Sequence, residues 1–297
     1  DKVKNHIFLA ENQQALRDAL KEKNLVAFVA DGAILPRESG ISQRPMKNAV
    51  VFKSPDSMRV TLDLVHGGTI SGMGIQKGIT LIVGGGYHGK STLLSALELG
   101  VYNHIAGDGR EYVISDDTAL KLRSEDGRFV KDVDISLFIN DLPSRKDTHS
   151  FSTEDASGST SQAAGIIEGI ESGSRLFLID EDTSATNFMV RDAFMQRVIQ
   201  SDKEPITPFT ARARELYDNA GISTILVAGS SGAFFHIADT VIQMDNYNAV
   251  DITSKVKNLL SEYPLHSDST APYTAPKSLR IMSKSPLGSP KRRDYRT

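Results

Sequence analysis

The stretch that decides the fold is residues 78–100, GITLIVGGGYHGKSTLLSALELG. ITLIV is a short apolar run rich in β-branched side chains and flanked by glycines, which predicts a buried strand. STLLSALEL spaces its leucines three and four apart, which predicts a helix. Between them, Gly84-Gly85-Gly86-Tyr87-His88-Gly89-Lys90-Ser91 fits GxxxxGK[ST] in the strand–loop–helix context that a phosphate-binding loop requires. Glycine reaches φ > 0 without steric cost, so several backbone N–H groups can turn inward as an anion nest. The helix that follows adds its positive end. Gly84 to Gly89 and Thr92 are therefore candidate nucleotide contacts, with Tyr87 and His88 contributing backbone. Lys90 is the candidate for the β- and γ-phosphates of ATP, and Ser91 for Mg²⁺.

Two further segments bear on the same chemistry. LFLIDED (176–182) is an apolar strand ending in Asp180 and Glu181. In a doubly wound sheet the strand C-termini converge on one crevice, which predicts this pair beside the phosphate loop. Asp180 is then the second Mg²⁺ candidate, and Glu181 the general base that polarises a water. Upstream, Ala156-Ser157-Gly158-Ser159-Thr160-Ser161-Gln162 opens a helical run, and Ser157 lies 23 residues before Asp180. A small Ser-Gly turn at a helix N-terminus is a second anion site.

Around these segments, apolar runs alternate with helical patterns at 12–24, 161–172 and 210–220. The fold class expected is α/β, a mainly parallel sheet flanked by helices, with an antiparallel β portion near the N-terminus. There, VVFKSPDSMRVTLDLV suggests two strands joined at a Ser-Pro-Asp turn. Two regions are expected, a folded 1–260 and a tail 261–297. The tail carries seven basic against three acidic residues and five of the eleven prolines, a composition that suits an extended or disordered arm. Its Lys291-Arg292-Arg293 run is a candidate RNA contact.

Composition excludes several classes. The chain of 297 residues has no cysteine, so disulfides, thiolate zinc sites and cysteine nucleophiles are ruled out. A net charge of −3 argues against charge-driven nucleic-acid binding by the whole surface. No apolar run reaches the roughly 18 residues of a membrane-spanning helix, so no membrane partner is expected. Arg37 and Arg110, near turn glycines, read as surface salt-bridge formers, and 121–131 as a hairpin-like solvated segment.

The runs VDISLFINDLP, FSTEDASGSTSQAA, LIDEDTSATNFMVRD and EPITPF, with LVAFVADGAILPRESG upstream and IADTVIQMDNY downstream, resemble the soluble, non-transporter family of predicted ATPases of the ABC class. The likeness covers roughly residues 6–253 and implies an ABC-type P-loop NTPase fold that binds ATP and Mg²⁺. Ser157, Gly158 and Ser159 match the signature that completes the site of a partner subunit, so the resemblance implies a head-to-tail homodimer closing on ATP. It places the switch histidine of ABC proteins at Gly229, followed by Ser230; Ser230 joins Glu181 and Lys90 as a candidate catalytic residue. Phe52 and His66 are the candidates for stacking on adenine, and Asn140 for the glutamine loop. A kinetoplastid mitochondrial relative associated with RNA editing makes RNA the partner implied. The compartment implied is the cytoplasm, or the mitochondrial matrix for a kinetoplastid chain. Two functions stay open, an ATPase and a nucleotide-gated RNA-binding module with little hydrolysis. Gly229 favours the second and Glu181 the first.

Overall fold

The computed structural model describes residues 1–191, 204–263, 272–275 and 280. Its centre is a six-stranded sheet built from β4 (Ile79–Val83), β6 (Leu120–Leu122), β9 (Leu176–Asp180), β10 (Ser223–Val227), β11 (Thr240–Asp245) and β12 (Asn248–Asp251). Their order is β12-β11-β4-β10-β9-β6, and every neighbouring pair is parallel except β11 with β12. A second, four-stranded sheet is antiparallel throughout, in the order β2-β3-β1-β5, from β1 (Leu25–Ala30), β2 (Arg59–Asp63), β3 (Thr69–Gln76) and β5 (Val113–Ser115). The strands β7 (Arg128–Val133) and β8 (Phe151–Ala156) pair with each other.

Among the described residues the helices are α1 (Lys2–Glu22), α2 (Lys90–Leu99), α3 (Gly158–Glu171), the short α4 (Thr186–Met189), α5 (Phe209–Ala220) and α6 (Thr253–Leu260). The central strands are apolar on both faces because both are covered, as parallel sheets require. Leu176, Leu178, Ile225 and Val227 pack on one side with Leu93, Leu94 and Leu97 of α2 and with Val29, Met73 and Ile75 of the antiparallel sheet. Phe177, Ile179 and Leu226 point the opposite way, into a core shared with Ala163, Ile166 and Ile167 of α3 and with Phe209, Ala213 and Leu216 of α5. The remaining face of the antiparallel sheet is closed by Leu16 and Leu20 of α1 over Phe28, Leu62 and Ile114. The layers therefore run α1, antiparallel sheet, α2, parallel sheet, then α3 with α5, and α2 is buried between two sheets.

The expected α/β architecture with an antiparallel N-terminal portion is what the chain adopts, with three local differences. Residues 50–55 form no strand: Phe52 instead donates its N–H to Ala33 O and accepts from Gly32 N–H, which folds the segment back over the 30–35 turn. The 121–131 stretch is not a hairpin, because β6 joins the central sheet beside β9 while β7 pairs with β8. The first helix begins at Lys2, well before residue 12; its first turns are exposed, with Val3 and Ile7 facing solvent. Within 261–297, Tyr273 packs against the α3–α5 core, and Arg280 donates to both carboxylate oxygens of Glu171 and to Lys131 O. The Lys291-Arg292-Arg293 run lies outside the described residues.

Within the antiparallel sheet, β1 and β3 make one especially close approach. Gly72 pairs with Ala30 in the β1–β3 ladder, and a Cβ on Gly72 would lie 2.3 Å from Val29 O and 2.7 Å from Ala30 Cα. Both obstacles are backbone, so they cannot step aside without breaking the ladder. Gly72→Val is expected to destabilise the fold by about 3 kcal/mol, the upper end of overpacking costs. Gly40→Ala, which has nothing within 4 Å, should stay within about 0.5 kcal/mol of wild type. Urea unfolding of the three chains checks both.

Candidate functional site

The glycine-rich loop leaves β4 at its C-terminal edge and enters α2. Gly84 has φ +142°, and a Cβ there would come within 2.3 Å of Met244 O on β11; only glycine lets the loop start so close to its neighbour. Gly89 is the N-cap of α2 with φ +98°, and no side chain caps the helix. The first N–H groups of α2 are thus left without a side-chain partner, as an anion site needs. Lys90 folds its ammonium back over the loop, donating to Gly84 O (2.7 Å) and Gly85 O (2.9 Å). Tyr87 is fully exposed at the loop's tip.

Opposite the loop stand the two acids. Asp180, buried at the end of β9, accepts from Ser91 Oγ (3.4 Å) and from Asp182 N–H (3.2 Å). Glu181 is gripped by the turn that follows β10: its Oε2 accepts from Gly229 N–H (2.8 Å) and Ser230 N–H (3.1 Å), and its Oε1 from the Ser230 hydroxyl. A Cβ on Gly229 would sit 3.9 Å from Lys90 Nζ, so this turn also borders the lysine. The cause is register. Val227 pairs with Asp180 across β10 and β9, and so residues 228–230 run alongside 181. Lys90, Ser91, Asp180, Glu181, Gly229 and Ser230 are brought to one edge of the sheet.

Ser157, Gly158 and Ser159 lie elsewhere. Ser157 is exposed and N-caps α3, its Oγ 3.0 Å from Thr160 Oγ1. The groups nearest a Cβ at Gly158 belong to Ser124, Asp126 and Ala185, none of them in the phosphate loop. The signature helix is nevertheless tied to the acids through Gln162, a fully buried side chain that sequence reading passed over. Gln162 Oε1 accepts from Ala185 N–H (2.9 Å) and its Nε2 donates to Ser184 Oγ (3.0 Å), which in turn donates to Asp180 O (2.8 Å). The available signal was an amide on the apolar face of a helix; a buried amide needs partners for both of its ends.

Several other expectations change. Arg110 is buried, and Arg37 is only partly exposed. Arg37 pairs with Asp108 at 2.9 Å, and Arg110 Nε donates to Leu35 O at 3.0 Å. Burial, reinforced by the like charge of Arg37 and opposed by Asp108, pushes the Arg110 guanidinium down to about 10, still a cation at neutral pH. Phe52 is buried (2% exposed), so neither ring face is offered to a ligand. His66 stacks on Phe8 of α1 at 3.7 Å and contacts Glu11, so its ring is already engaged. Asn140 donates its amide to Ser136 O (2.7 Å). His88 is held by the β11–β12 turn, its Nδ1 accepting from Asn246 N–H (2.9 Å). The same nitrogen lies 3.1 Å from Asp245 Oδ1.

Comparison with known proteins gives this geometry a family. The family model for the ABC_ATPase P-loop domain matches residues 1–280. An uncharacterised protein of Methanocaldococcus jannaschii is 31% identical over 264 residues, which cover 85% of this chain. The chain spans 57% of that relative's length. Among solved structures, cbiO1 from Clostridium perfringens, part of an ABC transporter complex, aligns at TM-score 0.47 and 12% identity over 80% of this chain and 92% of its own. An ATP-binding cassette of an ABC transporter in its ADP conformation aligns at TM-score 0.44 and 12% identity, over 80% and 96%. Membership rests on the family model, and the chain belongs to the ABC-class ATPases as a P-loop domain of that family.

Proposed function

We propose that this domain binds ATP with Mg²⁺, closes head-to-tail on a second copy of itself, and hydrolyses the nucleotide slowly. The observation that carries the enzymatic part is the orientation of Glu181 by Gly229 and Ser230 at the edge of the phosphate loop. A carboxylate has about four lone-pair sites. Three accept from the 229–230 turn, and one is left to take a proton from an attacking water. Lys90 exchanges the carbonyls of Gly84 and Gly85 for phosphate oxygens, and the α2 N–H groups add neutral donors. Ser91 Oγ and the Asp180 carboxylate are hard oxygen donors on facing elements, the type Mg²⁺ takes directly or through water. Bound there, Mg²⁺ would neutralise charge on the β- and γ-phosphate oxygens. Ser157 and the α3 N-terminus face solvent, where a partner's γ-phosphate can reach them.

The competing reading, a nucleotide-gated module that hardly turns over, is favoured by Gly229, which offers no imidazole at the switch position. RNA as the macromolecule bound rests on the family resemblance and on the tail's basic run. Among the described residues, no helix is long and apolar enough to cross a membrane.

Three outcomes are expected. Glu181→Gln should lower phosphate release by about 10²- to 10⁴-fold, the range of general-base effects, while ATP affinity stays within a few-fold. Equal, near-zero rates in both chains would remove the enzyme reading and leave the gated module. In analytical ultracentrifugation, Glu181→Gln should dimerise with ATP and not without it. Adding Ser157→Arg should keep it monomeric, and a dimer indifferent to Ser157 contradicts the head-to-tail arrangement. In filter binding of single-stranded RNA, neutralising Lys291, Arg292 and Arg293 together should reduce the slope of log K against log salt by up to about 2. An unchanged slope places RNA elsewhere or nowhere.

A further inference from the structure

The β11–β12 hairpin turns through Asn246 and Tyr247, both with positive φ (+47° and +65°). Two-residue turns of this kind favour Asn-Gly, because glycine alone takes the second position without steric cost. This chain has the asparagine and then a tyrosine. A bulky side chain held at positive φ marks a constraint that something other than local folding maintains.

The surroundings of Tyr247 say what that is. Its N–H donates to His88 O (3.0 Å), and the preceding Asn246 N–H donates to the His88 ring, so the turn is locked to the phosphate loop by two bonds. A Cβ on Gly89 would meet Tyr247 Cδ1 at 2.8 Å, which places the ring directly against the start of α2. Together with Gly89, Leu35, Pro36, Val50, Thr92 and Met244, Tyr247 lines a recess. The recess is anchored from behind by the Arg110–Leu35 bond. Its enclosed part is about 10 Å³, room for no more than one water, so a ligand ring rests across the mouth instead of entering it. Tyr247 remains 37% exposed, whereas Phe52 on the same recess is sealed.

We infer that Tyr247 is the stacking platform for the purine ring of the bound nucleotide, with Val50 and Pro36 as its apolar flank. The inference rests on the ATP-binding reading above. It moves recognition of the base from the aromatic residues expected upstream of the loop to a hairpin turn contributed from near the far end of the domain. It also explains the strained turn: a glycine there would ease the backbone and remove the ring.

Calorimetric titration of the full chain with ATP and, separately, with inorganic tripolyphosphate tests this, because only ATP carries a base. Tyr247→Gly should weaken ATP about 10- to 100-fold, the range for losing one base–aromatic stack. Its affinity for tripolyphosphate should stay within two-fold, and its melting temperature should equal or exceed that of wild type. Tyr247→Phe should bind both ligands like wild type. Unchanged ATP affinity in Tyr247→Gly overturns the inference. So does parallel loss of ATP and tripolyphosphate, which would make the residue a support for the phosphate loop. A less stable Tyr247→Gly chain also overturns it, since the tyrosine would then be serving the turn. Wild type that binds neither ligand defeats the ATP reading itself, whereas wild type that binds both, beside a Tyr247→Gly chain unaltered for ATP, defeats only the base platform.

Discussion

Three parallel strands, β4, β10 and β9, stop at the same edge of one sheet, and their ladder is what the site depends on. Val227 pairs with Ile82 on one side and Asp180 on the other. That register sets the phosphate loop, the 228–230 turn and the two acids side by side before any ligand contact is considered. A one-residue slip of β10 would turn its side chains to the opposite faces, moving Leu226 out of the α3–α5 core and Ile225 and Val227 away from α2. The core therefore enforces the site. Each buried leucine or isoleucine contributes about 1.5–3 kcal/mol to the same register that aligns Glu181 with Gly229.

What was legible in the amino-acid sequence follows from this division. The phosphate loop could be read because all its parts are contiguous: the entering strand, the glycines, the lysine and the helix occupy 78–100. Asp180 and Glu181 could be read because an apolar strand ending in acids is also local, and topology then predicts where the strand must end. The position of Ser230 came from the family resemblance, and it lies beside Glu181 because β10 pairs in register with β9. Gln162, Arg110 and Tyr247 were not legible. Their partners are Ala185, Leu35 and His88, distant in the chain, and only the folded layers bring them together. The same holds for 50–55, whose β-branched residues suggest a strand until Phe52 is seen to spend its backbone on Gly32 and Ala33.

The grip on Glu181 bears on how such a site can switch. Ser230 Oγ donates to Glu181, and its rotor can donate in only one direction at a time. If Ser230 turns toward a γ-phosphate, Glu181 Oε1 loses a donor while Oε2 keeps both backbone N–H bonds. The glutamate is then still aimed, because the backbone of 229–230 holds it. Contact with a phosphate and the bond to Glu181 Oε1 are thus exclusive uses of one hydroxyl, and exchanging them costs a rotamer change. An imidazole at this position would add a cation to the γ-phosphate. A serine adds only a dipole, which leaves Lys90 as the protein's own positive charge at this cluster of loop, acids and turn. In the function proposed above, the nucleotide would be held mainly through the loop and Mg²⁺, and the timing of hydrolysis would follow the Ser230 rotamer.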